Sequence, residues 1–256
     1  MKNSFVSAFA EGRTLVGSWS MSTSPNVAEA MGWIGFDFLT LDIEHAAHTH
    51  ADIANCLRAI ELTGTMPIVR LPDHDATKIK YLLDAGARTL MIPMVETPEE
   101  AERVVSLTRY PPVGKRGYAL MTRASRFTKV GDYAAIADDT VAVIAQIETP
   151  AALARMEEIA AVPGIDALFI GPGDMSASMD HRGDPGHADV RAAVFDFARR
   201  CKALGKPAGT VFGAPGMVSE CFANGFSFVA CASDLAFMIT QARAALSQIR
   251  EKMASG

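Results

Sequence analysis

Eight short apolar runs, each followed by a segment patterned as a helix, set the limits on what this chain can fold into. The runs are Leu15–Trp19, Phe36–Asp42, Met66–Arg70, the TLMIP stretch within Arg88–Val95, Val141–Ile147, Ala167–Ile170, Pro207–Val211 and Phe228–Cys231. No hairpin signal joins them. Regular strand–helix alternation predicts parallel strands, since a crossover helix returns the chain to the same end each time. Eight such units in 256 residues favour a closed (β/α)₈ TIM barrel over a doubly wound sheet. No linker or low-complexity segment divides them, so a single domain over 1–256 is expected.

The helices carry their own punctuation. Ser24-Pro25 and Thr149-Pro150 each read as an N-cap with proline at the first helical position, and Thr97-Pro98-Glu99-Glu100 as a capping box. Ile53, Leu57 and Ile60 share one face of a helix over 52–62 that stops at Gly64. Further helices are predicted over 189–204 and 235–252. A glycine-rich loop is expected from the end of the sixth strand to His187. One long interruption, Tyr110–Gly131, holds Lys115, Arg116, Arg123, Arg126 and Lys129 without a steady period. It reads as an active-face loop with room for one helical turn, because loops this long in compact domains are commonly functional.

Composition removes several classes of function. A net charge of -5 without a basic block argues against nucleic acid or an anionic membrane as partner. Four scattered cysteines, with no CxxC and no Cys/His cluster, suit a reducing compartment. With no signal-peptide pattern and no apolar stretch of membrane-spanning length, a cytoplasmic protein is expected.

A barrel places chemistry at the carboxyl ends of its strands. Asp42, Glu44 and His45 follow the second strand, and Arg70 ends the third. Gln146 and Glu148 close the fifth, and Gly171, Gly173 and Asp174 follow the sixth. Glu148 and Asp174 could be helix caps. As a pair without Cys or His companions they instead suit a hard divalent cation, Mg²⁺, Mn²⁺ or Co²⁺. Asp42 three residues before His45 suggests a carboxylate orienting a general base, the alternative being a solvated histidine. Arg70 would meet a substrate anion or form a structural ion pair. No lysine lies in or at the end of a predicted strand, which leaves a Schiff-base mechanism without a nucleophile. No G-x-S-x-G, GxGxxG or Walker sequence is present.

The motifs LDIEHAAHTH, PIVRLP, IPMVETPEEAERVV, RYPPVGKRG, RASRF, QIETPAAL and FIGPGDMSASM, in this order, resemble the class II 2-oxo-acid aldolases of the HpcH/HpaI family. The resemblance covers nearly the whole chain. It implies a divalent-metal-dependent lyase that reversibly cleaves a 4-hydroxy-2-oxo acid to pyruvate and an aldehyde, in aromatic or sugar-acid catabolism. It implies Glu148 and Asp174 as metal ligands, His45 with Asp42 as the base dyad, and Arg70 beside the 2-oxo group. Gln146, Gly173, Asp174 and Val211 are implied as substrate contacts. The last helix is implied to pack on a neighbouring subunit of a trimer or hexamer. The alternative is another enolate-forming lyase, an oxaloacetate decarboxylase or an acyl-CoA lyase like the citrate lyase β subunit. After Arg116-Gly117 the chain reads YALMTRASRF, where the family carries a further glycine and one more residue. That loop borders the acceptor pocket in the family, so the departure bears on the aldehyde.

Overall fold

The computed structural model describes residues 2–255, and its eight strands close in chain order into one parallel barrel. The strands are β1 (Leu15–Ser20), β2 (Phe38–Asp42), β3 (Met66–Arg70), β4 (Thr89–Ile92), β5 (Ala142–Ile147), β6 (Ala167–Ile170), β7 (Ala208–Val211) and β8 (Phe228–Ser233). The helices of the first half are α1 (Ser4–Ala10), α2 (Pro25–Trp33), α3 (His50–Glu61), α4 (Ala76–Asp84), α5 (Pro98–Thr108) and α6 (Tyr133–Thr140). Those of the second half are α7 (Pro150–Ala154), α8 (Met156–Ala161), α9 (Pro172–Ser178), α10 (Ala188–Ala203), α11 (Pro215–Ala223) and α12 (Asp234–Ala254).

Two apolar layers follow from strand alternation. Leu39, Leu41, Val69, Leu90, Val143 and Leu168 pack outward against the helices. Trp19, Phe38, Ile68, Met91, Ile144 and Phe169 fill the barrel interior. α1, absent from the apolar pattern, plugs the amino-terminal mouth, with the Phe5 ring 5.1 Å and the Phe9 ring 5.8 Å from that of Phe228. Asn3 anchors this plug. Its Oδ1 accepts from the amides of Phe5 and Val6, and its Nδ2 donates to the carbonyls of Arg88 and Thr140.

The helix starts agree with the sequence in place more than in bonding. Thr49 forms a full capping box with Asp52. Thr97 accepts from the Glu100 amide, but the Glu100 carboxylate reaches back to the Glu96 amide, so that box is only half formed. Ser24 stands at its N-cap without a side-chain cap bond. The segment after β6 is a correction: it opens with helix α9, not with an irregular loop.

The long interruption is a larger correction. In this barrel α5 returns the chain from the end of β4 to the amino-terminal face, where β5 begins, so a segment between α5 and β5 begins and ends there. The bonds agree. The amides of Lys115 and Arg116 donate to Ser106 O (2.7 Å) and Arg109 O (2.8 Å). Arg116 pairs with Asp84 at the end of α4 (2.9 Å), the Ala124 amide donates to Asp84 O, and Arg123 pairs with Glu61 at the end of α3. Residues 110–131 therefore lie away from their own barrel's carboxyl-terminal rim.

Candidate active site

Strand register brings the first cluster together. Asp42 and Arg70 are register partners across β2 and β3. Arg70 donates from Nε to Asp42 Oδ1 (3.0 Å) and from Nη2 to Oδ2 (2.7 Å), a bidentate fork that fixes the guanidinium plane. Its Nη1 lies 2.9 Å from Glu44 Oε2, and its guanidinium carbon sits 4.3 Å from the centroid of the Trp19 ring. Arginine at the mouth of an apolar barrel is thus held by two acids and one aromatic face.

This arrangement changes the role expected of Asp42. Its Oδ1 also accepts from the amides of Glu44 and His45 (3.0 and 3.3 Å), so its carboxylate is engaged by Arg70 and the backbone. The expected carboxylate–imidazole contact does not form. The His45 ring is 57% exposed, and its Nε2 lies 3.9 Å from Glu44 Oε2. Of the histidines in this loop, His48 is the structural one. Its Nδ1 lies 2.6 Å from Asp42 O and its Nε2 2.9 Å from Ser22 O, tying the loops after β1 and β2 together. Asp234 braces the same corner by accepting from the amides of Met21 and Ser22.

The second cluster hangs on β5 and β6. Glu148 is buried; its Oε1 accepts from Gln146 Nε2 (2.8 Å) and its Oε2 from the Met94 amide (2.9 Å). Met94 adopts a left-handed backbone (φ 49°), a conformation uncommon outside glycine and often found at functional sites. Asp174 stands exposed in the first turn of α9, beside Gly173. Gly171 is the hinge between the two acids. A Cβ there would lie 3.1 Å from Glu148 Oε1 and 3.5 Å from Asp174 Oδ2, so its absence leaves the space in which the carboxylates converge. Val211, last in β7, is half-buried against the interior cluster that includes Trp19 and Phe169.

Charge balance states what the site lacks. Burial pushes the Glu148 carboxyl up to about 7, with Asp174 and Glu44 adding to the rise against the Met94 amide and Arg70. Burial also raises Glu44, against the attraction of Arg70 and His45. Four acids, Asp42, Glu44, Glu148 and Asp174, thus share one guanidinium. Gln146 Oε1 is buried without a hydrogen-bond partner. Converging carboxylate oxygens, excess negative charge and a glycine that leaves them room fit a hard divalent cation with oxygen ligands.

The structure brings Asp42, Arg70, Gln146, Glu148, Gly171 and Asp174 to one rim and leaves His45 at its exposed edge. Sequence reasoning placed Glu44 on the rim without a partner and passed over Trp19 and Met94. Trp19 could have been found, since it closes the first apolar run at the same barrel end. Nothing in the sequence marks Met94.

The family model described as HpcH/HpaI aldolase/citrate lyase matches residues 15–241. A 2-dehydro-3,6-dideoxy-6-sulfogluconate aldolase of Pseudomonas putida is 45% identical over 239 residues, covering 93% of this chain and 94% of its own. A 2-keto-3-deoxy-L-rhamnonate aldolase of Klebsiella pneumoniae is 42% identical over 243 residues, covering 94% and 91%. The crystal structure of an HpcH/HpaI aldolase/citrate lyase family protein from Burkholderia cenocepacia superposes with a TM-score of 0.94 at 37% identity, covering 97% of this chain and 100% of that one.

Proposed function

The chain belongs to the HpcH/HpaI aldolase/citrate lyase family, and on that premise we propose that it cleaves 4-hydroxy-2-oxo acids reversibly to pyruvate and an aldehyde. The observation that carries this reading is the convergence of Glu148 and Asp174 across Gly171, on the rim that also carries Arg70. Glu148 and Asp174 would hold the divalent cation, Mg²⁺, Mn²⁺ or Co²⁺, with Gln146 orienting Glu148. When bound, the cation supplies Lewis acidity to the 2-oxo acid's oxygens.

The remaining work falls to this chain's own side chains. Arg70, locked by Asp42, adds fixed positive charge where the 2-oxo oxygen becomes an enolate oxygen, at no reorganisation cost. His45 takes the 4-hydroxyl proton as the C3–C4 bond breaks and its electron pair passes into the enolate. The aldehyde leaves, and protonation at C3 completes pyruvate. Gly173 and Asp174, in the first turn of α9, offer backbone N–H groups to the pyruvyl carboxylate, and Val211 lines the apolar wall. The two relatives' names describe 3-deoxy-2-oxo sugar acids, so that class heads the candidate substrates.

A homo-oligomer, trimer or hexamer, accompanies this reading. α12 exposes Leu235, Phe237, Met238, Ile239, Leu246, Ile249 and Met253, an apolar face that a neighbouring subunit would cover. Tyr118, Leu120 and Met121 are also exposed, at the amino-terminal face, from which they can border only a neighbour's acceptor pocket. Free thiols at all four cysteines suit a reducing cytoplasm. No described helix is long and apolar enough to cross a membrane. The test is pyruvate release across a panel of 4-hydroxy-2-oxo acids, with and without chelator. Chelator-insensitive cleavage, or no pyruvate from any member, would overturn the reading.

A further inference from the structure

Between α9 and α10 the chain gathers a second set of metal-ligating side chains, on residues other than the catalytic acids. His181, His187 and Asp189 each bring one ligand atom to within 4.8 Å of the other two. Asp189 Oδ2 lies 3.5 Å from His181 Nε2 and 3.7 Å from His187 Nδ1. The two imidazoles now stack face to face, with centroids 3.5 Å apart and planes at 16°; rings sharing one tetrahedral zinc have centroids roughly 5 Å apart, so binding swings them apart about their side-chain torsions. Ligands about 2.0–2.1 Å from a tetrahedral zinc sit roughly 3.3 Å from one another, so both Asp189 separations are already close to coordination distance.

The backbone builds this arrangement. Asp180 (φ 62°) and Gly183 (φ 84°) turn the chain, and His181 N donates to Ser176 O at 2.8 Å. Asp184 N then donates to His181 O (2.9 Å) and His187 N to Asp184 O (3.1 Å), which folds the two histidines back onto one side. His187 Nδ1 accepts the Asp189 amide at 3.3 Å, leaving that nitrogen unprotonated, the state a ligand requires. Coordination would replace this long bond. Both rings are partly exposed, so an ion can reach them.

We propose that His181, His187 and Asp189 bind a late first-row transition-metal dication, zinc foremost, at a site separate from the catalytic carboxylates. Two imidazoles and one carboxylate select Zn²⁺ or Co²⁺ over Mg²⁺, which prefers an all-oxygen shell. The ion pins the turn after α9 to the first turn of α10. It is independent of the aldolase reading, since none of its ligands belongs to the catalytic rim.

The test uses the full chain with its carboxylate site saturated by Mg²⁺, titrated with Co²⁺. A tetrahedral, nitrogen-containing Co²⁺ site absorbs visible light far more strongly than an octahedral all-oxygen one. One equivalent per chain should give this spectrum, and Zn²⁺ should displace it. His181→Asn and His187→Asn should each abolish it while leaving Mg²⁺-supported pyruvate release unchanged; Asn at position 187 keeps a capping acceptor for α10. Zn²⁺ should raise the Tm of the parent protein but not of Asp189→Asn. Absence of the spectrum, its persistence in either histidine variant, or a dissociation constant weaker than about 1 mM overturns the proposal.

Discussion

The two ends of the barrel use the same residue types for opposite purposes. At the carboxyl-terminal rim, Asp42, Glu44, Glu148 and Asp174 share Arg70, and burial raises two of the four acids. At the amino-terminal face, arginines are matched: Arg13 with Asp37, Arg116 with Asp84, Arg123 with Glu61. That face also holds a cavity of about 500 Å³, lined by Leu57, Arg88, Arg123, Phe127 and Tyr133 among others. Concavity and arginine therefore do not mark the chemistry here. Uncompensated acid is the better guide to the proposed site, because a buried charge surplus costs stability unless a proton or a bound cation offsets it.

The largest effect should come from removing one charge of that surplus. Glu148→Gln keeps the shape and the Met94 contact but loses a ligand anion. Calorimetric Mg²⁺ binding and pyruvate release should both fall by more than the roughly 100-fold that loss of an outer-shell partner costs. Retained metal-dependent activity would mean that the rim's acid surplus is structural, and the contrast between the two ends would collapse. Next in size is His45→Ala, expected to lower kcat by about 10²–10⁴-fold with metal affinity unchanged. A near-normal rate would remove His45 as the base and move attention to Glu44, which lies beside it.

How much of this could be read in the sequence follows from how local each signal is. Strands are legible because an apolar run is a local property. β6 falls where it was predicted, and β2 starts at Phe38, two residues later than predicted. The rim acids are legible for the same reason: Asp42 closes β2, Glu148 directly follows β5, and Asp174 lies in the helical turn after β6. Their partners are not. That Asp42 clamps Arg70 instead of the His45 ring depends on the register between two strands, which spacing along one segment cannot encode. Residues 110–131 show the reverse: parallel topology alone dictates their end of the barrel, and composition misled. α1 and α6 escaped notice because two turns give too few apolar positions to set a period.

Gly171→Ala tests whether geometry matters at the rim as charge does. The added methyl would stand 3.1 Å from Glu148 Oε1, on the side where Asp174 converges. Metal affinity should fall about 10–100-fold, as when a ligand's support is disturbed, while the Tm stays near that of the parent. Unchanged affinity would show that the carboxylates converge without needing this space.

The smallest effect belongs to the other end. Glu61→Gln deletes a charge of the same kind as Glu148→Gln, but its partner Arg123 is partly exposed and Glu61 more than half so. Screening by solvent limits such a pair to about 0–1 kcal/mol, a Tm change of at most about 2–4 °C in a chain of this size. Pyruvate release per folded molecule should not change, because no acid surplus exists there to bind anything. The two Glu→Gln substitutions thus form a matched pair differing only in location. If Glu61→Gln lowered kcat while stability held, the amino-terminal face would be part of the catalytic apparatus, acting through a neighbouring subunit's pocket by way of the loop over 110–131.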